Sequence, residues 1–278
     1  MRISEIFYSI QGEGRLIGVP SAFVRTSGCN LRCVWCDTPY TSWQPEGKSY
    51  GVAAILSEIE KYPARHVVVT GGEPLLAREI EELTAELKRR GHHITIETAA
   101  TIFKPLTGDL ISMSPKLANS TPWKRADGKF AKQHETRRLN FPVIQRYLDN
   151  YDYQLKFVVE QRLDFDEIGR VLDQLAGVDR SRVFIMAQGT TKKQLSAKAR
   201  WIVQLCKQYG YGFTPRLHIE LFGNRRARDP REARRPGLVQ SSTFNVQSRS
   251  NSFRDFPLNL ELGTLNLRLR LVCTFAVN

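Results

Sequence analysis

The sequence predicts an α/β fold, a partial and open β/α barrel of about six parallel strands. Three observations carry that expectation. Short β-branched runs alternate with segments of helical spacing along most of the chain. The strands are too few for eight βα units. Five of them end in unusual sequences: the cysteine loop, TGGEP, ETAAT, SPK and AQG. A parallel sheet gathers such ends on one face, where these folds collect their chemistry.

The first strand expected is SAFVRTSG, which ends at Gly28 and leads into a cysteine loop. Val52, Ile55, Leu56 and Ile59 then recur with helical spacing. His66 to Thr70 is a β-branched strand stopped by Gly71, Gly72 and Pro74. A helix over Leu76 to Arg90 follows, with Gly91 where a C-terminal cap belongs. HITIETAAT alternates with period two, and Asp109 to Met113 is a strand ending in Ser114-Pro115-Lys116. Asn119 to Asn140 is polar and without clear period, a loop with one helical turn. YQLKFVVE is a strand, and Asp164 to Leu175 a helix opened by Asp164 and Asp166. Arg182 to Ala187 is a strand, Lys192 to Tyr209 a helix, and Arg216 to Leu221 the last strand.

Residues 1–226 thus make one domain. Residues 227–278 break the pattern: Arg-, Ala- and Pro-rich to Gln240, then rich in Ser, Asn and Gln, then alternating from Leu258 to Leu271 like an edge strand. No function is assigned to this extension.

A chain of 278 residues, 41% hydrophobic and 25% charged, can bury a sizeable core. No run of about 18 apolar residues is present, so no membrane span is expected. MRISEIFYSIQGEG lacks the basic-then-apolar pattern of a secretion signal, and the expected compartment is the cytoplasm. The net charge of +13 would admit a nucleic-acid partner. From Asn224 onward, however, ten Arg and no Lys stand against four acidic residues, so +6 of that charge belongs to the last fifth of the chain. The remainder suits an enzyme acting on anionic small molecules, and nucleic-acid binding is not expected.

Three of the five cysteines fall in Cys29-x-x-x-Cys33-x-x-Cys36. In a reducing compartment such crowding reads as metal binding. Structural zinc wants four ligands, and a fully ligated cubane iron–sulfur cluster four thiolates. Three thiolates leave a coordination position open for chemistry. On spacing alone, a zinc knuckle that borrows Cys206 or a His stays open, and with it a non-catalytic zinc- and RNA-binding module.

With EIFYSIQGEG, FVRTSGCNLRCVWCDT, VTGGEP, ETAAT, SPK and TPRLHIELFGNRR in one chain, the sequence resembles radical S-adenosylmethionine (SAM) enzymes. Within them it resembles the 7-carboxy-7-deazaguanine synthases of queuosine biosynthesis. The resemblance runs from Met1 to about Arg226, and ETAAT departs from the commoner ETNGT. It implies a radical-SAM partial barrel with a [4Fe-4S] cluster on Cys29, Cys33 and Cys36, and SAM contacts from Trp35, Cys36, Asp37, Gly72, Ser114, Pro115 and Lys116. It implies Mg²⁺ at Thr38. The implied reaction contracts the ring of 6-carboxy-5,6,7,8-tetrahydropterin, with loss of ammonia, to 7-carboxy-7-deazaguanine. Ile10, Gln11, Gly12 and Glu13 would read the pterin, Arg25 would clamp its carboxylate, and Thr70, Glu97 and His218 would line the same volume. An external electron donor, flavodoxin-like or ferredoxin-like, and a homodimer are implied as well. Glycyl-radical activating enzymes share the cysteine spacing; the SIQGEG segment and Thr38 after Cys36-Asp37 argue against them.

Overall fold

One sheet organises the chain, and the computed structural model describes residues 1–226. The expected extension at 227–278, with its Leu258–Leu271 strand, lies outside the described residues. β1 (Arg2–Ile10) runs antiparallel to β2 (Pro20–Thr26). The cysteine loop and α1 (Pro39–Ser42) follow, and β3 (Lys48–Ser49) pairs with β1. The βα alternation then runs through α2 (Val52–Ile59), β4 (His66–Gly71), α3 (Ile80–Arg89), β5 (His93–Thr98) and β6 (Leu110–Met113). It continues with α4 (Ala131–Arg137), α5 (Phe141–Asn150), β7 (Tyr153–Val159), α6 (Asp164–Leu172) and β8 (Val183–Ala187). α7 (Lys192–Tyr209), β9 (Gly212–Phe213) and α8 (Leu217–Phe222) complete it.

The strand order is β3-β1-β2-β4-β5-β6-β7-β8-β9, and every pairing from β2 onward is parallel. The order is linear, so the barrel is open, as the sequence predicts. Successive residues of a strand face opposite sides. Val69, Ile96, Ile111, Leu155 and Ile185 face one way into a single core with Ile55, Leu83, Ile144, Ile168 and Ile202 of the surrounding helices. The intervening residues mix apolar side chains, Phe23, Val68, Val158 and Met186, with polar ones. Arg25 is paired with Thr70, Glu97 with Ser112, and Ser112 with Gln154, so a polar row crosses the inner face from β2 to β7.

Several elements differ from the sequence expectation. β1 is set by hydrogen bonding on both flanks rather than by apolar alternation, with a bulge between Ile3 and Glu5. The stretch expected as loop holds α4, which buries only Ala131 and His134 and so shows no apolar period. α5 is likewise not expected from the sequence pattern; the Asn140 side chain accepts from Val143 N at 3.4 Å, Pro142 sits in the first turn, and Ile144 and Tyr147 are buried. The helix expected from Leu76 starts at Ile80, because Pro74–Leu76 form a 3-10 turn. The last strand is Gly212–Phe213, not Arg216–Leu221, which forms the Arg216 cap and body of α8. Pro215 has no N–H to continue the ladder, and Ile219 alone anchors the following turn in the core. Among the described residues no helix is long and apolar enough to cross a membrane.

Candidate active site at the cysteine loop

The loop after β2 is held by backbone bonds on both sides. Gly28 N donates to Thr41 O at 2.8 Å and Glu73 N donates to Gly28 O at 2.9 Å. Asn30 Nδ2 donates to Thr101 Oγ1 at 3.0 Å, which ties the loop to the end of β5. Gly72 has no room for a side chain, since a Cβ there would stand 2.2 Å from Gly28 O. That close approach is why the strand end reads TGG. In ETAAT the turn survives without glycine: Ala100 is left-handed at φ 55°, a strained conformation for alanine.

Cys29, Cys33 and Cys36 are all free thiols, and with Trp35, Leu31 and Ala99 they form a small cluster apart from the main core. Burial pushes the Cys29 and Cys33 thiols up to about 12, so both stay protonated until a metal displaces the proton. Lys116 provides the opposing positive charge, and its Nζ donates to Ser114 Oγ at 2.8 Å. Three thiols on one short loop beside a cation suit an anionic iron–sulfur cluster with one iron left open. Trp35 Nε1 donates to Asn119 O at 3.0 Å, which fixes its ring beside the thiols. Cys36 Sγ lies 3.2 Å from Ser42 Oγ and 3.8 Å from Thr38 Oγ1.

Of the residues expected to read the substrate, the structure joins several directly. Thr70 Oγ1 donates to Glu97 Oε2 at 2.8 Å, and Gln11 Nε2 donates to Glu97 Oε1 at 3.0 Å. The charge of Glu97 reaches both Arg25 and His218. Arg25 Nε stands 2.7 Å from Glu5 Oε1, and its guanidinium carbon lies 5.5 Å from the centre of the Phe7 ring. His218 sits in α8, packed so tightly on Gly12 that a Cβ at Gly12 would fall 1.9 Å from His218 Nδ1. Burial pushes its pKa down, so the ring is held neutral. Ile10 ends β1, and carries the chain into this turn.

Glu13 and Asp37 make a different arrangement from the one expected of ligand contacts. Glu13 Oε1 is 3.0 Å from Arg216 Nε, its other oxygen pairs with Lys156, and Arg216 Nη2 pairs with Asp37. The result is a chain of alternating charge, Lys156–Glu13–Arg216–Asp37, in which the first three side chains are about nine-tenths buried. Burial alone would raise the Glu13 pKa; Lys156 and then Arg216 outweigh it and hold the carboxyl far below the usual range. Burial opposes the Asp37 charge too, and Arg216 overrides it. Arg216 Nη1 also donates to Gly189 O at 2.8 Å. The network fastens β7, the QGEG turn, the start of α8 and the cysteine loop to one another.

Sequence reasoning passed over Lys156, Gln154, Ser112, Glu73 and His134. Gln154 Oε1 accepts from Arg15 N at 2.8 Å and its Nε2 donates to Ser112 Oγ at 2.8 Å. The signal for the β7 pair was present, because two polar residues at alternate positions interrupt an otherwise apolar strand. Glu73 is 1% exposed and accepts from Thr98 Oγ1 at 2.8 Å and Ala99 N at 2.9 Å; burial raises its pKa.

The radical SAM superfamily model matches residues 23–117. The chain is 44% identical over 232 residues to a 7-carboxy-7-deazaguanine synthase of Halobacterium salinarum, covering 80% of this chain and 90% of that protein. It is 44% identical over 225 residues to the synthase of the same name from Rhodopirellula baltica, covering 81% and 87%. A crystal structure of QueE from Escherichia coli superposes with a TM-score of 0.60 at 24% identity, over 78% of this chain and 94% of that one.

Proposed function

Because the chain belongs to the 7-carboxy-7-deazaguanine synthase family, its reaction is the radical-SAM ring contraction of 6-carboxy-5,6,7,8-tetrahydropterin with loss of ammonia, and we propose how its own residues divide that work. The protein uses a [4Fe-4S] cluster and SAM. When bound, these supply a carbon radical that takes a hydrogen atom from the pterin.

Cys29, Cys33 and Cys36 are the cluster ligands, and Lys116 balances part of the thiolate charge. Gly72 and the Ser114–Lys116 segment bring backbone and side-chain donors to SAM, with Pro115 holding the turn and Trp35 offering an apolar face to the adenine. Asp37, whose carboxylate is paired with Arg216, serves SAM through its backbone. Arg25 presents its guanidinium fork to the substrate carboxylate. Thr38 would hold a Mg²⁺, which would supply a second positive charge for that carboxylate. Gln11 and Glu97, pre-oriented by Thr70, receive the pterin edge, with Ile10 and Gly12 below and His218 at the side. Glu13 acts on the pterin by holding this turn in place.

The observation that carries the reading is the Gln11–Glu97–Thr70 row, with Arg25 one strand away on the inner face and three free thiols on the loop that follows β2. Titration calorimetry on the anaerobically reconstituted protein checks it. The carboxylated pterin is expected to bind at least about tenfold more tightly than its decarboxylated analogue, and only with Mg²⁺ present. Equal binding of the two sinks the assignment of Arg25 and Thr38. A homodimer, a cytoplasmic setting and a catalytic domain that ends near residue 226 complete the proposal.

A further inference from the structure

We propose that Glu5 is the positioning residue that sets Arg25 for a carboxylate, and so fixes the preference of the site for a carboxylated pterin. The inference rests on the reading of Arg25 as the clamp on that carboxylate.

Of the EIFYSIQGEG segment, only Ile10 to Glu13 have a role so far. Glu5 stands where strand alternation alone would bury it in the core. Residues two apart on a strand share a face, and Ile3 packs in the core under the helices. The bulge changes that parity. Ile3 pairs with Thr26 and Glu5 with Arg25, so β1 uses one residue more than β2 over this step. Ser4 is the extra residue, and Glu5 turns to the inner face opposite Arg25. Phe7 follows it there opposite Phe23, and the two rings stack at 4.9 Å.

Glu5 is 8% exposed, and one of its oxygens serves two neighbours. Oε1 pairs with Arg25 Nε and accepts from Tyr40 Oη at 2.8 Å. Tyr40 lies in α1, two residues after Thr38, so this bond ties Glu5 to the segment that follows the cysteines. Arg226 covers the Tyr40 ring at 3.6 Å and donates to Glu46 Oε2 at 3.1 Å from both Nη1 and Nη2. Burial pushes the Tyr40 pKa up, so the phenol keeps the proton it donates to Glu5. A guanidinium held at Nε, with the Phe7 ring near its carbon, has few orientations left. Its terminal fork is thus aimed before a ligand arrives, and binding loses less side-chain freedom. Glu5 Oε2 is buried and has no hydrogen-bond partner among the described residues. A buried carboxylate oxygen without a donor weakens the fold, and such exceptions gather at functional sites.

The test uses the full chain, reconstituted without oxygen and loaded with SAM and Mg²⁺ but no reductant. It is titrated calorimetrically with 6-carboxy-5,6,7,8-tetrahydropterin and with the decarboxylated analogue. Glu5→Gln keeps the shape and removes the charge. Tyr40→Phe removes one hydroxyl and keeps the ring under Arg226. Both variants are expected to bind the carboxylated pterin about fivefold or more weakly, and the decarboxylated one within about twofold of the unsubstituted protein. Iron per chain and SAM affinity are expected to hold. Equal losses for the two pterins, or losses that come with a fall in iron and SAM binding, make Glu5 merely structural and overturn the proposal. An undiminished preference in both variants overturns it as well. Should Glu5→Gln not fold, Tyr40→Phe decides alone. If the unsubstituted protein itself binds the two pterins equally, the role of Arg25 fails and this proposal with it. If it discriminates and the variants do so just as well, only this proposal fails.

Discussion

Arg25 owes its place to strand alternation: it shares the inner face of β2 with Phe23, while Ala22 and Val24 turn to the core. Its Nε is paired with Glu5, and the charges of Tyr40, Glu5, Asp37 and Glu97 all favour the guanidinium. A lysine keeps the charge and loses the fork, so Arg25→Lys should raise KM for the carboxylated pterin about tenfold or more with a smaller change in kcat. A fall in kcat alone would move Arg25 from binding to chemistry. Gly72→Ala places a methyl against Gly28 O and should cost most of the iron loading and a large part of the thermal stability, read as iron per chain and Tm. Arg25, Thr70 and Glu97 were legible because period-two strands put them on one face. The charge chain through Glu13 and Asp37 was not legible, since the partners of Glu13 lie 143 and 203 residues away and that of Asp37 lies 179 away.

Among the elements, α4 shows how a segment without apolar period can still matter to the site. His134 is 1% exposed and accepts at Nδ1 from Arg32 N, so its proton sits on Nε2 and is donated to Ser120 Oγ at 2.8 Å. Ser120 in turn donates to Leu117 O at 2.6 Å. Burial pushes the His134 pKa down to about 4 from 6.5. Between those values the unfolded chain binds the proton and the folded one does not. Stability is therefore full above pH 6.5, falls as pH drops, and levels off below about 4. Urea unfolding should show a loss on the order of 2 kcal/mol from pH 6.5 to 5 that is absent in His134→Gln. A slope retained in His134→Gln would assign it to other groups. The sequence could not show this, because a helix that buries one alanine and one histidine has no hydrophobic stripe to detect. α7 is the opposite case. Its Thr191–Gln194 capping box and left-handed Gly210 match the expected Lys192–Tyr209 bounds.

At the scale of the whole molecule, the open parallel sheet was legible from the strand–helix alternation, and the strand-end motifs do meet at one face. What alternation could not give was the antiparallel β1 and β3 flank, which exists through ladder pairing, and the turn of Arg216–Leu221 into α8, which depends on one proline and one buried isoleucine. The aligned relatives leave about a fifth of this chain unmatched. A chain ending at Pro236 should keep turnover within about twofold of the full chain, because the site residues all precede Arg226. A collapse of turnover with an unchanged Tm would give residues 237–278 a part in the reaction.

Whether the three thiols and the polar row act on one substrate molecule is read from the mass of the products of a single anaerobic reaction, with the reconstituted chain, SAM, reductant, Mg²⁺ and 6-carboxy-5,6,7,8-tetrahydropterin. 5′-Deoxyadenosine and 7-carboxy-7-deazaguanine are expected together, both lost in Cys33→Ala. 5′-Deoxyadenosine formed without the deazaguanine would contradict this, by separating the cysteine loop from the substrate row.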